Sequence, residues 1–116
     1  NDINLYNGGE DVRDFMHVTD VVQALKTCCD LGRTNEIFNI GTGIPTKFID
    51  IMNYVKIKTN SKSVINSIAP PEFHKVVQID KMYLDNSKII SLGFKAKTQL
   101  YRAIDDLIDD LQEEIK

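Results

Sequence analysis

The sequence predicts a mixed α/β fold organised around one βαβ unit, and three observations carry that expectation. VRDFMHV at residues 12–18 is strand-like, residues 20–31 are helical and strongly apolar, and EIFNI at 36–40 is a second short strand. That order and those lengths suit two parallel strands joined by a crossover helix. Near the end, Leu100, Ala103, Ile104, Leu107, Ile108 and Leu111 fall on one stripe opposite acidic residues, the period of an amphipathic helix.

Element by element, Ile3 to Tyr6 reads as a short strand ended by the Asn7-Gly8-Gly9 turn. After the strand Val12 to Val18, Thr19 or Asp20 can accept a free N–H of the next helix, and Gly32 is its expected stop. Val21, Val22, Ala24, Leu25, Cys28, Cys29 and Leu31 cover more than one stripe of that helix, so it is expected to be covered on two sides. Gly41-Thr42-Gly43 ends the strand Glu36 to Ile40, and Thr46 is the expected cap of a helix carrying Phe48, Ile51, Met52 and Val55. Ser63 to Ile68 reads as a further strand before the breaker Pro70-Pro71. Asp85 caps the short helix NSKIISL, which Gly93 closes, and Thr98 caps the last helix. Parallel strands seldom stand as an isolated pair, because faces and edges need cover. The strands are too few for a doubly wound sheet, so the βαβ unit is expected to complete a larger sheet supplied by residues outside this chain.

At 116 residues the chain has the length of one small domain or a piece of one. A net charge of −3 argues against a partner held by general electrostatics, nucleic acid above all. No apolar run approaches the roughly 20 residues that cross a bilayer, and the N-terminus has no basic-then-apolar leader, so a soluble cytoplasmic protein without a membrane partner is expected. The start at Asn1 without a Met is expected of a trimmed chain. Cys28 and Cys29 are adjacent in a helix, which disfavours a bridge between them, and they are expected as reduced core residues.

Several residues could carry chemistry. Arg13 can offer a planar fork of donors to a phosphate or carboxylate, or can pair with Asp14, Asp11 or Glu10 at the surface. His17, between apolar neighbours, is expected as a hydrogen-bonded core residue. The Gly41–Gly43 loop could present N–H groups to an anion, but it lacks the third glycine of a dinucleotide fingerprint and is expected as a tight turn. In PPEFHKVVQ, His74 and Lys75 could meet phosphate oxygens and Phe73 a base or sugar, or the stretch is a solvated loop. The acidic face of the last helix is expected to be solvated, without a metal. Tyr54 and Lys58 match the bare Tyr-x3-Lys spacing of a proton-transfer pair, but they lie far from the glycine loop with no Ser or Thr partner, and the match is taken as chance.

Taken together, GEDVRDFMHVTDVVQAL, then EIFNIGTG, then DNSKIISLGFKAKTQLYRAIDDLI resemble, in order and spacing, the C-terminal part of the NAD-dependent epimerase/dehydratase family, the extended short-chain dehydrogenases that act on nucleotide sugars. The resemblance implies an α/β fragment whose βαβ unit would complete a Rossmann-type sheet, with a small mixed α/β substrate-binding subdomain. It implies that Arg13 contacts the pyrophosphate of a nucleotide sugar, that His74 and Lys75 stand where many relatives show a second arginine, and that Asp85, Ser87 and Lys88 are structural. It also implies that the glycine-rich loop for NAD or NADP and the catalytic Tyr-x3-Lys lie in an N-terminal Rossmann region absent from this chain. The chain by itself is then expected to bind no NAD and to catalyse nothing, and the intact enzyme to be a homodimer. The competing expectations are a stand-alone module dimerising through residues 20–31 and 99–114, and a small nucleotide-binding protein using the Gly41–Gly43 loop.

Overall fold

Ile3–Tyr6 forms strand β1 with Leu5 turned inward in the computed structural model, which describes residues 1–31 and 35–115. The chain folds as two interleaved units, Asn1–Arg13 with Pro45–Met82 and Asp14–Ile44 with Tyr83–Lys116. The first mixes strands with helices and the second is helical, so the α/β class holds.

In the first unit β1 pairs in parallel with β4, Ile65–Ile68, placing Ile3 opposite Ile65 and Tyr6 opposite Ile68. Helix α2, Phe48–Lys58, contributes Ile51, which is buried in this unit, as is Leu5. The Asn7–Gly9 turn is where glycine is indispensable. Gly9 has φ +73, and a Cβ there would fall 2.9 Å from Leu5 Cδ1 and 3.0 Å from the Ile49 nitrogen, so the turn lies directly against the start of α2. Strand β2 is only Val12–Arg13, antiparallel to β3, Thr46–Lys47. Val12 also donates its N–H to the Asp80 carbonyl at 2.9 Å and accepts the Met82 N–H at 2.9 Å.

Three expectations are corrected in this unit. The strand expected over 12–18 stops at Arg13. Thr46 is a strand residue and caps nothing; the Phe48 N–H that a cap would satisfy donates to the Asp11 carbonyl at 3.0 Å. PPEFHKVVQ is not a plain loop, because Glu72–Val77 forms a short helix, α3, directly after the proline pair.

The second unit holds α1, Val18–Leu31, the four-residue α4, Ser87–Ile90, and α5, Leu100–Ile115. Ala24, Ile89 and Phe94 make its buried core, with Met16, Cys28, Phe38, Ile40 and Ala96 packed around them. Asp20 was expected at the head of α1 and instead lies inside it, 4% exposed, accepting the N–H groups of Lys97 and Thr98 at 3.0 Å each. It thus holds the approach to α5, whose own first turn cannot satisfy those donors. His17 supplies the start of α1: its carbonyl accepts the Asp20 N–H and its Nδ1 the Thr19 N–H, so it is a half-buried capping residue and not a core one. Asp85 meets the start of α4 by accepting the Ser87 N–H at 3.0 Å, and Gly93 at φ +92 follows its end, both as expected.

Residues 36–40 form no strand. A strand exists only beside a neighbour that takes its N–H and C=O groups, and among the described residues neither 14–17 nor 36–40 has one. Side chains hold the second segment instead: Lys88 donates to the Ile37 carbonyl at 2.9 Å, sits over the Phe38 ring at 4.6 Å and pairs with Glu36 at 3.3 Å. The expectation that α1 is covered on two sides fails within this chain, since Val18, Val22, Leu25 and Cys29 are exposed. Cys28 packs on the core, whereas its neighbour does not. The outer half of the α5 stripe, Leu107 and Leu111, is also exposed. The expected stop at Gly32 lies outside the described residues. Among the described residues no helix is long and apolar enough to cross a membrane.

Asp20→Ala would leave two inward N–H donors without an acceptor and should lower unfolding stability by about 1.5–3 kcal/mol, read as a lower midpoint in urea denaturation at unchanged slope.

Candidate functional site

A cleft of about 270 Å³ opens in the first unit. Asp11, Arg13, His74 and Gln78 supply its polar groups, and Tyr6, Val77, Ile79 and Met82 wall it. β2 holds Arg13, with Asp11 directly before it, and α3 carries His74. The His74 ring lies 5.1 Å from that of Tyr6, tilted by 56°.

The carboxylates that could have neutralised Arg13 are engaged elsewhere. Glu10 pairs with Lys47 at 2.7 Å, Asp11 accepts the Gln78 amide at 2.6 Å, and Asp14 serves backbone donors. Arg13 Nη1 donates to the Val12 carbonyl at 2.8 Å, and among the described residues it forms no ion pair. Its fork therefore stands in the cleft with donors to spare. His74 shares that cleft; Lys75, one residue on, does not line it and instead pairs with Glu72 at 2.8 Å. Phe73 is exposed beside the cleft and is not among its lining residues.

The Gly41–Gly43 turn in the second unit does hold an anion, but that anion is the chain's own. Asp14 Oδ1 accepts the Thr42 N–H at 2.9 Å and the Thr42 hydroxyl at 2.6 Å, while Oδ2 accepts the N–H groups of Gly43 at 2.9 Å and Leu84 at 3.2 Å. Partial burial pushes the Asp14 carboxyl up; the Thr42 hydroxyl and the N–H groups of Thr42, Gly43 and Leu84 outweigh it, and its pKa lies below the ordinary carboxylate value. With those donors taken, the turn is not available as a nucleotide loop. A Cβ at Gly41 would fall 2.7 Å from Asp14 Oδ2, so this glycine is required by the close approach of the carboxylate. Tyr54 and Lys58 meet only as neighbours on α2, with Lys58 Nζ 5.7 Å from the ring centre. Among the described residues no three His, Cys, Asp or Glu side chains gather as a metal site.

The fold and these motifs have known counterparts. The model of the NAD dependent epimerase/dehydratase family matches residues 1–41. A protein of Methanocaldococcus jannaschii provisionally named a UDP-glucose 4-epimerase is 30% identical over 90% of this chain and 32% of its own length. Human dTDP-D-glucose 4,6-dehydratase is 26% identical over 94% of this chain and 32% of its own length. The crystal structure of UDP-glucose 4-epimerase from Thermotoga maritima with UDP-glucose superposes with a TM-score of 0.89 at 27% identity, covering 99% of this chain and 36% of that one. Solved structures of the same fold at lower identity carry NADPH or NAD. The chain is thus similar in sequence and fold to a part of proteins of the NAD dependent epimerase/dehydratase family. It spans about a third of the length of the relatives it matches.

Asp14 is charged in the fold at pH values where the unfolded chain begins to bind a proton. Its contribution is complete above the ordinary carboxylate pKa of about 4 and is lost as pH falls through the lower folded value. Acid unfolding followed by circular dichroism should therefore lose a component in Asp14→Asn, and Gly41→Ala should reproduce that loss by displacing the carboxylate. An unchanged acid limb in both variants would remove the clamp from the stability of this unit.

Proposed function

We propose that this chain is the nucleotide-sugar-binding part of an NAD(P)-dependent epimerase or dehydratase, in which Arg13 holds the pyrophosphate. The observation that carries the proposal is the cleft itself: an arginine without a carboxylate partner among the described residues, with His74 in the same cleft and the side chains of Tyr6, Val77, Ile79 and Met82 around it. Arginine's fork matches two phosphate oxygens at once. The imidazole of His74 adds a single N–H donor where a second arginine would add several.

The share of the relatives' length that this chain covers supports a division of labour. The redox step, oxidation at a sugar carbon and return of the hydride, then belongs to an NAD(P)-binding region outside these 116 residues. The exposed apolar faces of α1 and α5 suit contact with that region or with a second copy of the enzyme.

In the complete protein carrying this sequence, Arg13→Ala should weaken UDP-sugar binding by about 1.5–3 kcal/mol, the worth of a charged hydrogen bond. Isothermal titration should show a smaller loss for His74→Ala and almost none for Lys75→Ala, which only releases Glu72. Unchanged affinity in Arg13→Ala would sink the proposal.

A further inference from the structure

We infer that nucleotide-sugar binding in this cleft is coupled to the uptake of a proton by the imidazole of His74, so that affinity rises as pH falls toward about 6, an inference that rests on the assignment of Arg13 to the phosphates. His74 lines the cleft with Arg13. Among the described residues its ring makes no hydrogen bond and no ion pair, and its ring contacts are with Tyr6 at 5.1 Å and Phe73 at 6.2 Å. Both ring nitrogens are therefore open to a ligand, one as a donor in the neutral ring and both in the charged one.

The charges around the ring decide what a ligand changes. Tyr6 faces it from β1, Asp11 and Arg13 line the same cleft from the side of β2, and Glu72 and Lys75 share α3; β4 carries no titratable residue. Both carboxylates are engaged, since Asp11 accepts the Gln78 amide at 2.6 Å and Glu72 pairs with Lys75 at 2.8 Å. Among the described residues the ring thus has no anion that would hold a proton on it. A diphosphate brought into the cleft supplies one, and a nearby negative charge favours the charged imidazole. The added affinity is complete below the titration of the free ring and is lost as pH rises through that of the complex. Phenol, carboxylate, ammonium and guanidinium groups ordinarily keep one charge state between about pH 6 and 8, and so does the diphosphate of a nucleotide sugar, which has no terminal phosphate. The pH dependence is therefore for His74 to supply, and an arginine in its place would give none.

UDP-glucose is the probe, because the terminal phosphate of UDP would titrate in the same range. Titrated calorimetrically into the complete protein, it should bind about three- to tenfold more tightly at pH 6 than at pH 8, the gain of a charge-assisted over a neutral hydrogen bond at an open site. At one pH, the heat should differ between PIPES and Bis-Tris buffers by the share of the proton taken up. His74→Arg should bind equally well at both pH values with no buffer-dependent heat, and His74→Gln should keep the weaker affinity throughout. The side chain is exposed, so neither replacement disturbs packing. A flat profile in the unaltered protein, or a slope and buffer-dependent heat that survive in His74→Gln, overturns the coupling. Arg13→Ala should weaken binding at every pH and keep the slope; if it weakens binding at none, the phosphate assignment itself has failed, which is a different result from a flat profile with Arg13 still required.

Discussion

The Asp14 carboxylate accepts four hydrogen bonds from two other stretches of chain, and the second unit depends on that meeting point. The chain passes from one unit to the other after Arg13, after Ile44 and after Met82. Asp14, the Thr42–Gly43 turn and Leu84 each lie within two residues of one of those passages. Left without an acceptor, each inward N–H would cost about 1–3 kcal/mol, so a single side chain keeps three crossings together. Asn86 reinforces the arrangement by donating its amide to the Gly41 carbonyl at 2.9 Å.

Adjacent residues are thereby put to opposite uses. Asp14 is saturated by donors of its own chain, which makes it structural and explains why a glycine turn that looks suited to phosphate has nothing left to offer. Arg13 is the reverse, a donor whose acidic neighbours are all occupied by others. The contrast is a matter of satisfied and unsatisfied valence, and it separates scaffold from site more sharply than burial does, since both residues are half-buried.

What was legible in the sequence was local. The Asn7–Gly9 turn, the α2 stripe, the Asp85 and Gly93 ends of α4, and α5 depend on neighbours a few positions away, and they form as the spacing implies. Residues 14–18 and 36–40 were not legible as they stand, because alternating apolar residues say only that a strand could form, while the lateral partner decides whether it does. Asp20 was misplaced for a related reason: an aspartate at a helix start reads as that helix's cap, and only the fold reveals acceptance from Lys97 and Thr98, far along the chain. Arg13 and His74 were legible as candidates. Lys75 was grouped with His74 by adjacency, yet successive residues of a helix point about 100° apart, and the α3 turn sends one into the cleft and the other to Glu72. Asp11 was legible only as a possible partner of Arg13, and its bond to Gln78, 67 positions away, gave no signal.

The parallel pairing of β1 with β4 joins residues 62 positions apart, as Asn4 and Asn66 show. Closing so long a loop carries an entropic cost that must be met before any ladder bond forms. On a ribosome, β1 would emerge first and wait with its edge open until residues 65–68 follow, the interval in which an unpaired strand can find the wrong partner. The 3₁₀ turn after β1, seated on the head of α2, offers a way across that interval, because it can hold the strand near its place before its true neighbour has been made.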